Sequence, residues 1–261
     1  MTTEQDRLGP ALLTLAWEAA AAIMAVYADD FKSRAKADHS PVTDADEAAE
    51  RIILAGLERL TPGMPVVAEE KSARGDIPQV GTNPFWLVDP LDGTREFIAR
   101  NGEFTVNIAR IERGRPTHGV VLAPALEQGR GIAWLGTPQG ARRFHGREDR
   151  TGVAIRVRAV PPGGAIALIS RSHRDLQTDD WLRRQVEPKT ASIGSSLKFC
   201  RIAEGAADFY PRFASISEWD TAAGQAVLEA AGGAVLSMED NRPLTYGKPG
   251  FRNPGFIARG A

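Results

Sequence analysis

The sequence predicts a mixed α/β protein, with an α+β first half and a more regularly alternating α/β second half. Three apolar or alternating runs between residues 104 and 135 are typical of a meander of antiparallel strands. After residue 165, short strand-like stretches alternate with helical ones. The Pro- and Gly-rich segment 160–164 separates these two patterns. We therefore expect an N-terminal half of residues 1–160 and a C-terminal half of residues 161–261.

The composition excludes several functional classes. The chain has 261 residues, of which 43% are hydrophobic and 25% charged, as is typical of a globular protein. Because 32 Lys and Arg residues balance 33 Asp and Glu residues, we expect no nucleic-acid partner. The arginines of the Gly-rich segment 136–152 are expected to lie in a solvated loop. Cys200 is the one cysteine and cannot close an intrachain disulfide, which favours a cytoplasmic location.

Two helices are predicted at the start of the first half. Apolar residues recur at helical spacing over residues 8–26, and Glu18 interrupts the run, so we expect a helix packed on the protein and no membrane-spanning segment. The second helix is expected over residues 44–60, ahead of a Thr-Pro-Gly stop. Thr43 and Asp46 have nearly the spacing and residue types of a capping box at its beginning.

Acidic residues follow two predicted strands of the first half. Residues 65–68 form a short apolar strand that ends at a glutamate pair beginning with Glu69. Residues 85–88 form a buried strand that ends at Asp89. Because Pro90 cannot donate a hydrogen bond to a sheet, we expect the chain to leave the sheet there.

The string that follows, Asp-Pro-Leu-Asp-Gly-Thr, is the strongest functional signal. The turn returns Asp92 to the side of Asp89 and leaves the Leu91 carbonyl available. Carboxylate and carbonyl oxygens are the ligands that Mg²⁺ prefers. Gly93 permits close backbone approach, and Thr94 begins a predicted helix whose N–H groups suit a phosphate.

Two further acids stand at helix beginnings. Asp46 and Asp220 each have a simpler interpretation, as residues that cap a helix or favour its dipole. Together with Glu69 and Asp89, however, they all fall where strands end or helices begin. Ligand sites of α/β proteins form at such places. The pattern therefore predicts a single acidic site.

The second half is predicted to begin with a strand at residues 165–170. Helices are then expected over residues 178–186, 195–204 and 221–231. Asp220 precedes the last of these helices, so the acidic site would draw on both halves of the chain.

These strings resemble the inositol-monophosphatase superfamily of Mg²⁺-dependent, lithium-sensitive phosphatases. The matching positions are Val-Thr at 42–43 with Asp46, Glu-Glu at 69–70, Asp-Pro-Leu-Asp-Gly-Thr at 89–94, Trp-Asp-Thr-Ala-Ala-Gly at 219–224 and Gly-Gly at 232–233. Within the superfamily, the chain is most similar to the CysQ-type 3'(2'),5'-bisphosphate nucleotidases. That similarity is carried by Arg-Glu-Phe at 95–97, Ser-Arg-Ser-His at 170–173, Gly-Ser-Ser-Leu-Lys-Phe-Cys at 194–200, Ala-Asp-Phe-Tyr-Pro-Arg-Phe at 207–213 and Asn-Pro-Gly-Phe at 253–256.

The resemblance implies a layered αβαβα sandwich of the inositol monophosphatase and fructose-1,6-bisphosphatase type, with the site between its halves. It also implies two Mg²⁺ ions, a third and weaker ion near Glu69 and Asp46, and inhibition by Li⁺. The implied metal ligands are Glu69, Asp89, the Leu91 carbonyl, Asp92 and Asp220. The catalytic residues would be Glu69 and Thr94, with Thr94 oriented by Asp46 toward the attacking water.

The implied reaction converts adenosine 3',5'-bisphosphate to AMP and phosphate, with 3'-phosphoadenylyl sulfate as a second substrate, in sulfur assimilation or nucleotide recycling. Lys198 and Arg212 would bind the part of the nucleotide that does not react, with Ser195 and His173 as hydrogen-bonding partners. The other implied substrate contacts are Gly93, Thr94 and Asp220.

Two alternative functions stay open at this point. One is an inositol or sugar monophosphatase with the same metal site, and the other is a non-catalytic sensor of a phosphorylated ligand. The sequence also leaves open a homodimer and a peripheral association with the cytoplasmic face of the inner membrane.

Overall fold

The computed structural model describes residues 4–29, 33–35, 41–172, 176–184 and 188–261. Within them the helices are α1 (Glu4–Ala28), α2 (Asp44–Leu60), α3 (Glu69–Ala73), α4 (Thr94–Ile98), α5 (Leu176–Arg183), α6 (Leu197–Ala203) and α7 (Trp219–Ala230). The strands of the first half are β1 (Ser33–Ala35), β2 (Pro41–Thr43), β3 (Val66–Ala68), β4 (Phe85–Asp92), β5 (Thr105–Glu112), β6 (Arg115–Ala123), β7 (Ile132–Thr137), β8 (Gly140–His145) and β9 (Val153–Ile155). Those of the second half are β10 (Ile166–Ser170), β11 (Lys189–Ile193), β12 (Phe209–Arg212), β13 (Ile216–Ser217), β14 (Ala234–Ser237), β15 (Arg252–Asn253) and β16 (Phe256–Arg259).

The larger sheet has seven strands in the order β3-β4-β5-β6-β7-β8-β9. Strands β3 and β4 run parallel, and every later pair in the sheet is antiparallel. Strand β8 lies inside the segment 136–152, so the prediction of a loop throughout that segment is wrong. Its two arginines, Arg142 and Arg143, are adjacent, and its two buried residues, Ala141 and Phe144, belong to the cores on opposite faces of the sheet.

Alternation along the strands gives the larger sheet two different apolar faces. In β4, Trp86 and Val88 belong to the core shared with α1 and α2. Phe85 and Leu87, which point to the opposite face, belong to the core shared with α6 and α7. The larger sheet is therefore covered by helices on both sides.

The smaller sheet has five strands in the order β11-β10-β12-β16-β14. One face contributes Tyr210, Val235 and Phe256 to the core that contains α6 and α7. The other face packs Ala167 and Ile169 against α5. The layers therefore follow the order helices, sheet, helices, sheet, helix, which confirms the αβαβα sandwich.

Helix α1 contains a stretch, Arg7–Ala28, that is long and apolar enough to cross a membrane by length and composition alone. It is the one such helix in the part of the chain that the structure describes. Leu12, Leu15, Ala19 and Ile23 lie along one side of it and are buried against α2 and the larger sheet. The helix is thus accommodated as a core helix, as the sequence predicted.

The segment around Pro90 differs from its prediction. The chain does not leave the sheet at Pro90, since β4 continues to Asp92 and pairs again with β5 there. The register shifts between Asp89 and Asp92, which is a β-bulge. A bulge leaves backbone groups outside the ladder, so it accepts a proline within a strand. Both aspartates are therefore held by a sheet rather than by a loop.

Candidate active site

A cavity of about 220 Å³ lies where the ends of β3 and β4 meet α6, β12 and α7. Its lining includes residues that were proposed from the sequence as site residues: Glu69, Asp89, Leu91, Asp92, Gly93, Thr94, Ser195, Lys198, Arg212 and Asp220. The structure therefore brings together ten of the residues proposed from the sequence, from both halves of the chain. Asp46 stands behind Thr94, whereas His173 lies outside the described residues.

Glu69 and Asp89 are positioned by two neighbouring parallel strands, β3 and β4. Glu69 begins α3 directly after β3, and the buried carboxylate of Glu50 accepts a hydrogen bond from the Glu70 N–H at 2.8 Å. That contact anchors the first turn of α3. Asp89 is buried, accepts a hydrogen bond from the Leu91 N–H at 3.0 Å and shares a side-chain hydrogen bond with Glu69.

Asp92 uses one carboxylate oxygen for the protein. Its Oδ2 lies 2.6 Å from the Ser196 backbone nitrogen, 2.8 Å from Ser196 Oγ and 3.3 Å from Asn107 Nδ2. Asn107 also donates to Ser196 Oγ at 2.8 Å, which fixes the orientation of that hydroxyl. Because these donors all meet Oδ2, they orient the carboxylate as the partners behind a metal ligand do. Asn107 and Ser196 were missed by the sequence analysis.

Three acids of the cavity, Asp89, Asp92 and Asp220, have raised pKa values. Burial and then the charges of Glu69, Asp92 and Asp220 raise the pKa of Asp89 well above its usual range. Burial and then Asp92 and Glu69 do the same for Asp220. Burial also raises the pKa of Asp92, against the opposing effect of Lys198. Carboxylates that repel one another in a buried place are stabilised by a cation.

The donor set fits a hard divalent cation. It consists of carboxylates and the Leu91 carbonyl, and oxygen is the ligand atom that such cations prefer. Across the described ranges, no three acidic, His or Cys side chains already form a closed metal-binding group. Within the cavity, Asp89 instead shares side-chain hydrogen bonds with Glu69 and with Asp220.

Asp46 and Thr94 are linked, as the family resemblance implied. Asp46 Oδ2 accepts hydrogen bonds from the backbone N–H and the hydroxyl of Thr43, at 2.8 and 2.7 Å, and a capping box is present at the start of α2. Its other oxygen lies 3.3 Å from Thr94 Oγ1. The same hydroxyl lies 3.3 Å from the Leu91 carbonyl, and its one proton serves one acceptor at a time.

Ser195 departs from its prediction as the first residue of a helix. Its φ is +48°, which is left-handed, and α6 begins two residues later. Its hydroxyl lies 2.9 Å from Thr105 Oγ1 on β5. A non-glycine residue in this conformation is strained by roughly 1–2 kcal/mol. Contacts from the first half must therefore hold this segment in place.

Lys198, which is buried, and Arg212, which is half-buried, are two cations beside the acids. Lys198 Nζ donates to the Ser195 carbonyl at 2.6 Å and to the Ile193 carbonyl at 3.1 Å, above the ring of Tyr210. Arg212 hydrogen-bonds the Tyr210 hydroxyl, yet its buried Nε has no hydrogen-bond partner within the described part of the chain. A buried donor without a partner is costly, and an anion in the cavity would satisfy it.

The chain belongs to the inositol monophosphatase family, which matches residues 4–255. It is 45% identical over 250 residues to the 3'(2'),5'-bisphosphate nucleotidase CysQ of Escherichia coli K12, covering 93% of this chain and 95% of that relative. The nucleotidase CysQ of Buchnera aphidicola is 40% identical over 226 residues, covering 85% and 82%.

Solved structures agree with this assignment. The crystal structure of CysQ from Bacteroides thetaiotaomicron superposes with a TM-score of 0.81 at 35% identity and covers 98% of this chain and 97% of that one. An inositol monophosphatase from Anabaena superposes with a TM-score of 0.76 at 24% identity, covering 98% and 92%, and so shares the fold.

Proposed function

We propose that this chain is a 3'(2'),5'-bisphosphate nucleotidase that converts adenosine 3',5'-bisphosphate and water to AMP and phosphate. 3'-Phosphoadenylyl sulfate is its second substrate, and the reaction serves sulfur assimilation or nucleotide recycling. One observation carries the proposal: a single cavity joins an acidic cluster, suited to cations, to the cations Lys198 and Arg212. A bisphosphate nucleotide needs both, because its second phosphate lies away from the reacting one.

Metal dependence is general to this family, and we propose Mg²⁺ for this chain. The residues that would hold two ions are Glu69, Asp89, the Leu91 carbonyl, Asp92 and Asp220, with a third near Glu69 and Asp46. When bound, Mg²⁺ neutralises charge on phosphate oxygens and lowers the pKa of water. Li⁺ is the expected inhibitor.

The chain's own residues would orient the attack. We assign Thr94 Oγ1 to hold the attacking water, because Asp46 fixes that hydroxyl from behind. Glu69 would take up the proton that the water releases. The backbone at Gly93 and Thr94 would hold the phosphate being removed, since Gly93 has a φ of +91° and carries no side chain to block the approach.

The part of the nucleotide that does not react would meet the second half of the chain. Arg212 offers the unpartnered Nε, and Lys198 has one ammonium hydrogen beyond the two given to backbone carbonyls. Ser195 and His173 are the proposed hydrogen-bonding partners, and Asp220 completes the set. Charge-assisted hydrogen bonds of this kind contribute about 1.5–3 kcal/mol each.

We also propose that residues 1–160 and 161–261 are the two functional halves. The last strand of the larger sheet ends at Ile155, and the first strand of the smaller sheet begins at Ile166. The two sheets share one core through α6 and α7, so the halves differ in role without being separate cores. The cytoplasmic location and the homodimer stay predictions.

The decisive experiment compares phosphate release from adenosine 3',5'-bisphosphate and from inositol 1-phosphate, with MgCl₂ and with EDTA. We expect Mg²⁺-dependent release that is at least about ten-fold faster, in kcat/KM, from the bisphosphate, which corresponds to one cation contact. Faster release from inositol 1-phosphate would instead make the chain an inositol monophosphatase. Binding of the bisphosphate without release from any substrate would identify a sensor.

A further inference from the structure

The segment Gly-Ser-Ser at residues 194–196, here called the site loop, connects β11 to α6 and touches both halves of the chain. The Gly194 N–H donates to Glu103 Oε2 at 2.7 Å. The Ser195 hydroxyl meets Thr105, and the Ser196 N–H meets Asp92 at 2.6 Å. Three successive residues of the second half are therefore each bonded to a side chain of the first half.

An ion pair behind the site loop ties it down. Arg171 makes two parallel hydrogen bonds to Glu103, with Nε–Oε2 at 2.7 Å and Nη2–Oε1 at 2.8 Å. Arg171 Nη2 also donates to the Ser192 carbonyl at 2.8 Å, two residues before Gly194. Glu103 thus accepts from Arg171 and from the site loop at once. This arrangement is a closed ring of hydrogen bonds that includes the backbone of residues 192–194.

The site loop has no room on the side of the first half. A Cβ at Gly194 would lie 2.7 Å from Glu96 Cγ and 2.8 Å from the Glu103 carbonyl oxygen, closer than side-chain carbons approach other atoms. Next to it, Ser195 holds a left-handed φ that costs free energy when unsupported. The position of the loop therefore depends on contacts that press it against residues 96 and 103.

Neither Glu103 nor Arg171 lines the cavity, and the proposed mechanism does not use them. We propose that they are positioning residues, which hold the site loop so that Ser196 orients the carboxylate of Asp92 and Ser195 faces the substrate. This inference rests on the proposed function for its activity measurement, whereas a measurement of Mg²⁺ binding does not depend on the substrate. Bidentate Arg–carboxylate pairs fix geometry as well as charge, which is what this role requires.

The charge state of Glu103 supports this role. Burial alone would raise the pKa of Glu103, but the hydrogen bonds from Arg171 and from the Gly194 N–H outweigh it and lower that pKa. Glu103 is therefore ionised at neutral pH and can accept from both partners.

The test compares two ion pairs that both join the first half of the chain to the second half. Glu103–Arg171 has side chains that are 20% and 43% exposed, and Glu229–Arg115 has side chains that are 23% and 39% exposed. Glu229 accepts from Arg115 at 2.8 and 2.9 Å and lies outside the cavity lining. Glu229→Gln is accordingly the matched control for Glu103→Gln, and Arg171→Lys is a milder variant that keeps the charge.

Each variant is assayed with adenosine 3',5'-bisphosphate and is melted over a range of MgCl₂ concentrations. We expect Glu103→Gln and Arg171→Lys to lose about 10- to 100-fold in kcat, the usual cost of removing a partner behind a metal ligand. The MgCl₂ concentration that gives half of the thermal stabilisation should rise by a similar factor. Without Mg²⁺, Glu229→Gln should change Tm by about as much as Glu103→Gln does. Its kcat and its Mg²⁺ midpoint should stay within about two-fold of the wild-type values.

The proposal is overturned if Glu103→Gln behaves like Glu229→Gln in kcat, or if its Mg²⁺ midpoint equals that of the wild type. A wild type that releases no phosphate from the bisphosphate contradicts the proposed function alone, because the Mg²⁺ midpoints of the variants still decide the role of Glu103. If Glu103→Gln does not fold, Arg171→Lys decides by the same two measurements.

Discussion

The two sheets contribute opposite charges to one cavity. The larger sheet and the helices at its edge supply Glu69, Asp89 and Asp92, all of which lie at the ends of β3 and β4. The segments around the smaller sheet supply Lys198 and Arg212. Two residues depart from this division: Asp220 is an acid carried by α7 of the second half, and Arg95 is a cation carried by α4 of the first half.

This division indicates that the two halves have different chemical roles. The acids of the first half suit cations and therefore the bond-breaking step. The cations of the second half suit an anionic ligand and therefore its binding. Substitutions of the acids Glu69, Asp89 and Asp92 should lower kcat, and substitutions of the cations Lys198 and Arg212 should mainly raise KM, so kinetics can separate the two roles.

The largest expected effect follows from Asp89→Asn. The substitution keeps the shape of the side chain but removes the charge proposed to be shared by two cations. We expect kcat to fall more than about 100-fold, beyond the usual cost of losing a partner behind a ligand. The measurement is Mg²⁺-dependent phosphate release, with Tm as the check of folding. Asp76→Asn, at an exposed position outside the cavity, is the control, and a folded Asp89→Asn protein with near-normal turnover would contradict the two-metal assignment.

The second effect tests the binding role of the smaller sheet. Arg212→Ala should lower kcat/KM for adenosine 3',5'-bisphosphate by about one to two decades, mainly through KM, because about 1.5–3 kcal/mol of charge-assisted binding is lost. A simple monophosphate should be affected less. Arg259→Ala, on the neighbouring strand and exposed, is the matched control. Equal losses for both substrates would show that Arg212 acts on the reacting centre instead.

A third experiment tests whether Li⁺ competes with Mg²⁺ at one of the proposed cation positions. Li⁺ is expected to compete at the position held by Asp89, Asp92 and Asp220, so LiCl should reduce Mg²⁺-supported activity several-fold. KCl at the same ionic strength should have much less effect. Because both salts screen charges equally, the difference between them measures competition by Li⁺. Identical losses of activity with the two salts would contradict competition by Li⁺ and would show that screening of charges accounts for the loss.

The smallest effect is a pH dependence of substrate binding. Burial lowers the pKa of Lys198 to about 8, although Asp92 opposes this. The ammonium is charged below that pH and neutral above it, so KM should rise several-fold between about pH 7 and about pH 9. Lys198→Met cannot titrate, and its KM should stay flat over the same range. Parallel profiles for the two proteins would assign the dependence to another group.

Much of the fold could be predicted from local signals. Helix α2 was expected over residues 44–60 and is observed over Asp44–Leu60, because a capping box and a Thr-Pro-Gly stop determine its two ends. The bulge at Pro90 and strand β8 could not be predicted in this way. Both depend on how the segment pairs with a neighbouring strand, β5 for the bulge and β7 for β8, which local composition does not report.

In the site, too, some residues have local sequence signals and others do not. The acids could be found because each follows a strand or begins a helix, where ligand groups gather. Asn107 gave no signal, and Ser196 stood only within the Gly-Ser-Ser string with no role assigned to it, because a single polar residue in a strand or before a helix has many ordinary explanations. Their role appears only when Asp92 is brought to them across more than 100 residues of chain. Lys198 was expected to face the substrate, whereas two of its hydrogens serve the backbone.

The position of β16 has a consequence for folding. This strand, residues 256–259, lies between β12 and β14 in the middle of the smaller sheet, although it comes after both in the chain. The sheet therefore cannot close until residues 256–259 have left the ribosome. Until then β12, which carries Arg212, has an open edge, and such edges promote association between nascent chains. Late synthesis of one four-residue strand thus sets the time at which the cation side of the cavity can form.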